Sequence, residues 1–331
     1  MVTRGVQKRG RIITKSLVVH GKTYLEGKVV HIKELSLVEY LSEMSLTLPP
    51  LGSFLVHSTV RKGGLLLGAY LDGEASQQPA GLLALKLAKG ASLEYVFVEE
   101  RFRGQGIGSA LLKAAVSLVR QRNLGRLKAR AVLQNPWGDV YAHILEKTGF
   151  QAYDTASIFR FAMDTAAQKR WEAFMQQRGS RISQALRRRG FRTVSFAEAG
   201  EDVLQGFLKD TKGRFPAHLD PLTFLNNHEH KCVHDHSFLA LKGDEPAAYS
   251  IVTTVDGKTL TFQQLSAAFK YQGSGAFLLP VAALVDKLFS AGQFKQMSAM
   301  IYDSNEQMNR LVEALVKPLA TSVKKQVFYT L

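Results

Sequence analysis

The sequence predicts an α+β (mixed α/β) protein made of two similar units. Three observations carry this expectation. Apolar runs of strand length alternate with stretches of helical spacing along most of the 331 residues. A strand, a glycine-rich turn and a helix follow one another from Leu93 to Leu112. The arrangement then returns at an offset of 167 residues. There Lys270-Tyr271-Gln272-Gly273-Ser274-Gly275 lies under Arg103-Gly104-Gln105-Gly106-Ile107-Gly108, Leu278-Leu279 under Leu111-Leu112, and Leu265 under Val98.

Taken in order, residues 1–27 read as a basic extension. Its β-branched runs, Ile12-Ile13-Thr14 and Leu17-Val18-Val19, lead to a turn at His20-Gly21-Lys22 and suggest a hairpin. Val29–Ile32 is a strand. Ser36–Ser45 has helical spacing, with Ser36 as cap and Leu37, Tyr40, Leu41 and Met44 on one face, and Leu48-Pro49-Pro50-Leu51-Gly52 breaks it. Gly64–Tyr70 and Gly81–Leu87 form a hairpin around the polar loop Asp72–Gln78. Strand Leu93–Val98, the turn and helix Ser109–Arg120 follow. Leu127–Leu133 is a strand, and Tyr141–Lys147 a helix ending at Gly149, a residue suited to the left-handed position after a helix. Ala152–Met163 closes the first unit as a strand. Residues 164–192 form a basic amphipathic connector, with Trp171, Phe174, Met175, Ile182 and Leu186 at helical spacing among Lys169, Arg170, Arg178, Arg181, Arg187, Arg188, Arg189 and Arg192. In residues 193–331 the strands are Phe238–Leu241, Ala247–Thr253, Leu260–Phe269 and Val323–Tyr329.

Composition narrows the function classes. A hydrophobic share of 46% supports an ordinary core, and the single cysteine, Cys232, excludes an internal disulfide framework. No apolar run reaches bilayer-spanning length and the start carries no signal-peptide core, so the expectation is a cytoplasmic protein without a membrane span. A formal charge of +15 favours anionic partners: a nucleotide cofactor, acidic metabolites, nucleic acid or a membrane surface. The same charge is also compatible with a solvated basic surface.

The glycine turn is an anion cradle. Gly104, Gly106 and Gly108 leave backbone amides unobstructed, the helix start adds unpaired N–H groups, and Arg103 can close the pocket on a phosphate. It lacks the Gly-Lys-Ser/Thr ending of a P-loop, and its glycine spacing is not that of a dinucleotide fingerprint. Arg103-x-x-Gly106-x-Gly108 after Val96-x-Val98, followed by Leu111-Leu112, resembles the acyl-CoA turn Gln/Arg-x-x-Gly-x-Gly/Ala of the GNAT N-acyltransferases. The resemblance extends over about residues 28–163, and 193–331 read as a diverged second copy. It implies a tandem protein of two GNAT-like units, each a mostly antiparallel sheet flanked by helices.

That family's chemistry implies roles. The backbone of Val96, Phe97 and Val98 would hold the pantetheine, and Arg103, Gly104, Gln105, Gly106, Ile107, Gly108 and Ser109 the pyrophosphate. Asn135 stands where many members place an asparagine that contacts the cofactor. Glu94, on the signature strand, is the candidate base, and apolar neighbours there would raise its pKa toward neutrality. Tyr141-Ala142-His143-Ile144-Leu145-Glu146-Lys147-Thr148-Gly149-Phe150 resembles the family's Leu-Tyr-Glu-Lys-x-Gly-Phe ending, but Leu145 stands where the family's usual thiolate acid, a tyrosine, is found. Tyr141, four residues earlier on the same helix face, is either a substitute acid or a packing residue. His143 is a third candidate, read chiefly as a surface residue. In the second copy Thr261 lies under Glu94 and Lys270 under Arg103, with no carboxylate or tyrosine at an obvious catalytic place.

His228-Glu229-His230-Lys231-Cys232-Val233-His234-Asp235-His236 holds enough ligand chemistry for zinc, but its spacing matches no standard site. A polar loop or an acceptor-pocket wall are the other readings, and no metal is expected to be required.

The resulting expectation is an N-acyltransferase, with acetyl-CoA or another acyl-CoA as co-substrate and an amine-bearing small molecule or protein as acceptor. Two alternatives remain open. One is an aminoacyl-tRNA-dependent transferase, with nucleic acid on the basic connector. The other is a non-catalytic protein that binds acyl-CoA or another anionic partner.

Overall fold

The computed structural model of the chain describes residues 21–25, 28–44, 48–72, 77–87, 90–210, 215, 221 and 231–331. The expected strands in residues 12–19, and His228, Glu229 and His230, lie outside them. The chain divides into two compact units. Unit 1 comprises residues 1–131, 135–153 and 327–331, and unit 2 comprises 132–134 and 154–326. The boundary therefore falls inside the strand expected to close the first unit, and residues 164–192 lie within unit 2.

Unit 1 opens with strands β1 (Gly21–Leu25) and β2 (Lys28–Leu35), paired antiparallel. Gly21 and Lys22, expected in a turn, are thus strand residues paired with Ile32 and His31. Helix α1 starts at Leu37 behind a reciprocal cap: the Glu39 amide donates to Ser36 Oγ at 3.2 Å and the Ser36 amide to Glu39 Oε2 at 2.8 Å. The turn Tyr40–Met44 winds as a π-helix. This wider winding breaks the expected apolar face. Tyr40 and Met44 are buried, whereas Leu37 and Leu41 stay exposed.

Pro50, expected only to break a helix, begins one. Helix α2 runs Pro50–Arg61 with proline in its first turn, where the missing N–H costs nothing. Strands β3 (Leu65–Asp72), β4 (Gln77–Lys86) and β5 (Ala91–Val98) continue the antiparallel sheet. Tyr40, Met44 and Val56 pack with Leu35, Leu66, Tyr70, Leu82 and Ala84 on one face of it. Helix α3 (Ile107–Gln121) buries Ile107, Leu111, Leu112, Ala115, Leu118 and Val119. It comes close enough that a Cβ on Gly81 would lie 3.1 Å from Leu111 Cδ1 and 2.9 Å from the Phe97 carbonyl oxygen. Strand β6 (Leu127–Val132) and helix α4 (Pro136–Lys147) follow, and the chain leaves α4 through Gly149 at φ 97°. The last residues of the chain complete this unit. Leu127 and Leu331 exchange backbone hydrogen bonds of 3.2 and 2.9 Å, Val327 and Tyr329 are buried, and Tyr329 Oη donates to Glu146 Oε1 at 2.9 Å.

Unit 2 repeats the plan. Strands β8 (Phe191–Ser195), β10 (Phe238–Lys242), β11 (Glu245–Thr254) and β12 (Thr259–Ala267) are antiparallel, with β9 (Lys231–Cys232) added to β11. The helix Leu278–Ala291 then leads to β13 (Gln296–Tyr302), parallel to β12. The other edge of β13 pairs antiparallel with residues 156–162 of β7 (Gln151–Ala162). The connector forms helices at Thr165–Phe174 and Ser180–Arg188 joined by a π-turn. Trp171 and Leu186 are buried from its apolar stripe, and Trp171 Nε1 donates to Asp286 at 2.8 Å. No helix among the described residues is long and apolar enough to cross a membrane.

Candidate active site

In unit 1, β5 and β6 run parallel but pair only at Ala91–Leu127 and Ser92–Lys128. Beyond these two positions the strands have no paired register, while β4 continues along the other edge of β5 to Val98. The result is a wedge between β5 and β6 lined by Glu94, Val96 and Val98. A parallel pair that stops after two residues leaves backbone groups on this half-buried edge of β5 without a ladder partner, open to a ligand or water.

The glycine turn sits at the end of β5. Gly104 and Gly106 both take φ 78°, the left-handed region that glycine adopts without strain. Gly106 is the N-cap of α3 and no side chain caps the helix. The first backbone bond of α3 is the Ala110 amide to the Gly106 carbonyl, so the amides of Ile107, Gly108 and Ser109 have no acceptor within the helix. A Cβ built on Gly104 would meet nothing within 4 Å, so the turn is open on that side. Ile107 is buried and pins the helix start. Gln105 Nε2 donates to the Arg101 carbonyl at 3.2 Å. Arg103 Nε donates to the Val98 carbonyl at 3.1 Å, and its guanidinium lies 4.2 Å from the ring centroid of Trp137. These residues fit a diphosphate: bare amides at a helix N-terminus beside a guanidinium held through its Nε.

Val98 Cγ2 and Ile144 Cδ1 flank Gly108 at 3.7 and 3.8 Å from a Cβ built there. Phe97 points the other way and stacks on Tyr95, with ring centroids 6.4 Å apart. Asn135 Oδ1 accepts from the Gly138 amide at 2.8 Å and caps α4. Glu94 does not have the apolar surroundings expected of it. Ser92 Oγ donates to its Oε1 at 2.7 Å, and Arg130 Nη2 lies 3.5 Å from its Oε2. Burial holds the Tyr141 phenol well above the ordinary tyrosine pKa; the charge of Arg130 lowers it and that of Glu94 raises it. The base candidate, the phenol and Arg130 therefore form one electrostatic group. Leu145 is fully buried in the core, and His143 is exposed. Nothing in the sequence pattern marks Arg130 or Trp137; one is an outward residue of a strand and the other opens a helix.

The second turn is built differently. Gly273 and Gly275 take φ 77° and 80°, but helix Leu278–Ala291 starts later than the offset predicts. Ser274 donates to the Tyr271 carbonyl through its amide at 3.1 Å and through Oγ at 2.6 Å. The Ala276 amide donates to Ser274 Oγ at 3.2 Å, and the Leu278 and Leu279 amides to the Gly275 and Ala276 carbonyls at 2.9 and 3.2 Å. Pro280 has no N–H to offer. Lys270 Nζ and Tyr271 Oη both bond Glu245 Oε2, at 3.0 and 2.8 Å. Of the groups that would meet a phosphate here, the Ser274 and Ala276 amides and the Lys270 ammonium already have partners within the protein.

Among the described residues no group of three or more His, Cys, Asp or Glu side chains could hold a metal ion. Of the histidine-rich stretch, His236 is 2% exposed and stands edge-on to Phe294 at 5.1 Å, with neither ring nitrogen hydrogen-bonded. Burial lowers its pKa, Lys287 lowers it further and Asp235 opposes them. The native state therefore favours neutral His236, and the unfolded chain binds the extra proton first. Its contribution to stability is complete above the unfolded value of about 6.5 and is lost as pH falls below it. The melting temperature of the parent should drop more between pH 7.5 and 5.5 than that of His236→Leu. Equal drops would rule out this titration as a source of acid sensitivity.

Comparison with known proteins follows the same division. The pattern of the acetyltransferase (GNAT) family matches residues 38–150. No curated protein matches the chain. Among solved structures, a tandem GNAT protein from the clavulanic acid biosynthesis pathway is similar over 81% of this chain and 83% of its own, with 15% identity and a TM-score of 0.54. A GCN5-related N-acetyltransferase from Sphaerobacter thermophilus is similar over 80% of each chain, with 12% identity and a TM-score of 0.55. At these identities the likeness is one of fold.

Proposed function

Because its first unit belongs to the acetyltransferase (GNAT) family and the whole chain has the fold of a tandem member, we propose that this protein is an N-acyltransferase that moves an acyl group, in the simplest case acetyl, from acyl-CoA to an amine, with the donor held in unit 1. The observation that carries this reading is the contrast between the two turns. Unit 1 offers three bare amides at the helix start and Arg103, whereas the second turn engages the Ser274 and Ala276 amides internally and ties Lys270 to Glu245.

In this reading the diphosphate rests on the amides of residues 106–109 and on Arg103, and the pantetheine runs along β5 at Val96–Val98. Asn135 contributes by fixing the start of α4. Glu94 takes a proton from the incoming ammonium, directly or through a water, and the neutral amine attacks the thioester carbon. As the tetrahedral carbon collapses, nitrogen gives its second proton to solvent, the C–S bond breaks, and the thiolate leaves on a hydrogen bond from Tyr141 and takes its proton from solvent. Burial keeps this phenol protonated, so at neutral pH it is a hydrogen-bond donor to the charge developing on sulfur.

The test is thermal melting with acetyl-CoA on three proteins: the parent, Gly106→Trp and Gly273→Trp. At a hundredfold excess over Kd a ligand stabilises by about 2.7 kcal/mol, which is a readable shift. The parent and Gly273→Trp should rise, and Gly106→Trp should not. A rise lost only in Gly273→Trp would move the donor to unit 2. No rise in the parent would sink the acyl-CoA reading, and salt-sensitive binding of aminoacyl-tRNA would become the next measurement.

A further inference from the structure

Trp137 stands out among the described residues of unit 1. It is 59% exposed, and Val140, one turn further along α4, is 50% exposed. An indole left this far in water beside another exposed apolar side chain marks a contact surface more often than a packing need. Its position is specific. Its ring lies 4.2 Å from the guanidinium of Arg103, which is itself fixed by the Nε bond to the Val98 carbonyl at 3.1 Å. The guanidinium lies over one face of the ring, and more than half of the residue is in solvent. The backbone beneath is held by the Asn135 cap on the Gly138 amide at 2.8 Å.

We propose that Trp137 is a stacking platform for the adenine ring of the donor, so that this site selects nucleotide-bearing acyl thioesters over thioesters that carry phosphopantetheine alone. This rests on the reading that the Arg103–Ser109 turn binds the diphosphate of acyl-CoA. The chemistry is consistent from group to group. The same guanidinium that meets the diphosphate carries the indole, so base and phosphates are recognised by two side chains in mutual contact. A planar aromatic face accepts a purine by stacking without reading its edges, which suits an exposed position. Holding Arg103 is the plainer duty of such a ring, and the two duties separate experimentally.

Calorimetric titration of the full chain with CoA and with 4′-phosphopantetheine makes the separation, using the parent, Trp137→Ala and Trp137→Phe. Stacking predicts that Trp137→Ala weakens CoA roughly fivefold to a hundredfold, leaves 4′-phosphopantetheine unchanged, and is largely rescued by Trp137→Phe. CoA should also quench the emission of the parent protein, and 4′-phosphopantetheine should not. Equal weakening of both ligands would overturn the proposal and reduce Trp137 to a support for Arg103. Unchanged CoA affinity in Trp137→Ala would overturn it as well while leaving the donor site standing. Failure of CoA to bind the parent would remove both.

Discussion

A chain that stops at residue 326 is expected to lose the fold of unit 1 and with it any acetyl-CoA binding. Residues 327–331 supply the strand segment that bonds Leu127 in both directions, and they bury Val327 and Tyr329. Burying two such side chains is worth about 1.5–3 kcal/mol each. The bond from Tyr329 to Glu146 adds about 1.5–3 kcal/mol, since its acceptor is charged. A typical domain has only about 5–15 kcal/mol in total. Unit 2 keeps the whole of its own core in the truncated chain. Native-state hydrogen exchange should therefore lose protection in β3, β4 and α3 and retain it in β11 and β12. Protection retained in both units would show that the final residues merely decorate the sheet.

Replacing Glu94 by glutamine should lower kcat by about 10²- to 10⁴-fold, the usual contribution of a positioned general base, with the affinity for acetyl-CoA unchanged. Glutamine keeps the shape and still accepts from Ser92, which sits 2.7 Å away, but it loses the charge that Arg130 faces. The measurement is release of free thiol from acetyl-CoA with an acceptor drawn from a screen of amines. Donor affinity is read separately by calorimetry, so that failure of the base assignment is distinguishable from failure of binding. A loss smaller than fivefold would remove Glu94 from the chemistry and direct attention to a water held elsewhere in the wedge.

The glycine turn was legible because its requirements are local: bare amides at a helix start and a basic residue fixed by spacing. The repeat was legible for the same reason, since two copies of a local pattern line up at a constant offset. Helix α2 was hidden by Pro50, which reads as a breaker inside a helix and as a starter at its first position. The exposed Leu37 and Leu41 follow from one π-turn, a change in winding that leaves no mark in apolar spacing. The closed state of the second turn depends on Glu245, a residue of a different strand, so no reading of Lys270–Gly275 by itself reveals it. The same holds for Glu94. Its residue type was evident, but its neighbour Arg130 comes from β6, which is adjacent in the sheet and remote in sequence.

The return of residues 327–331 to unit 1 also sets an order of events during synthesis. The strands and helices of unit 1 up to residue 153 are made before residues 154–331, yet their sheet waits for residues 327–331. Translation at about 5–20 residues per second takes roughly 10–35 s to get from residue 154 to residue 331. Throughout that interval the nascent first unit carries an open strand edge at β6 and a gap where Val327 and Tyr329 belong. An unpaired edge is a template for pairing with another chain. Yield in a heterologous host should therefore depend on chaperone supply more than the stability of the finished protein would indicate. Unit 1 expressed by itself should come out aggregated unless the missing strand is supplied.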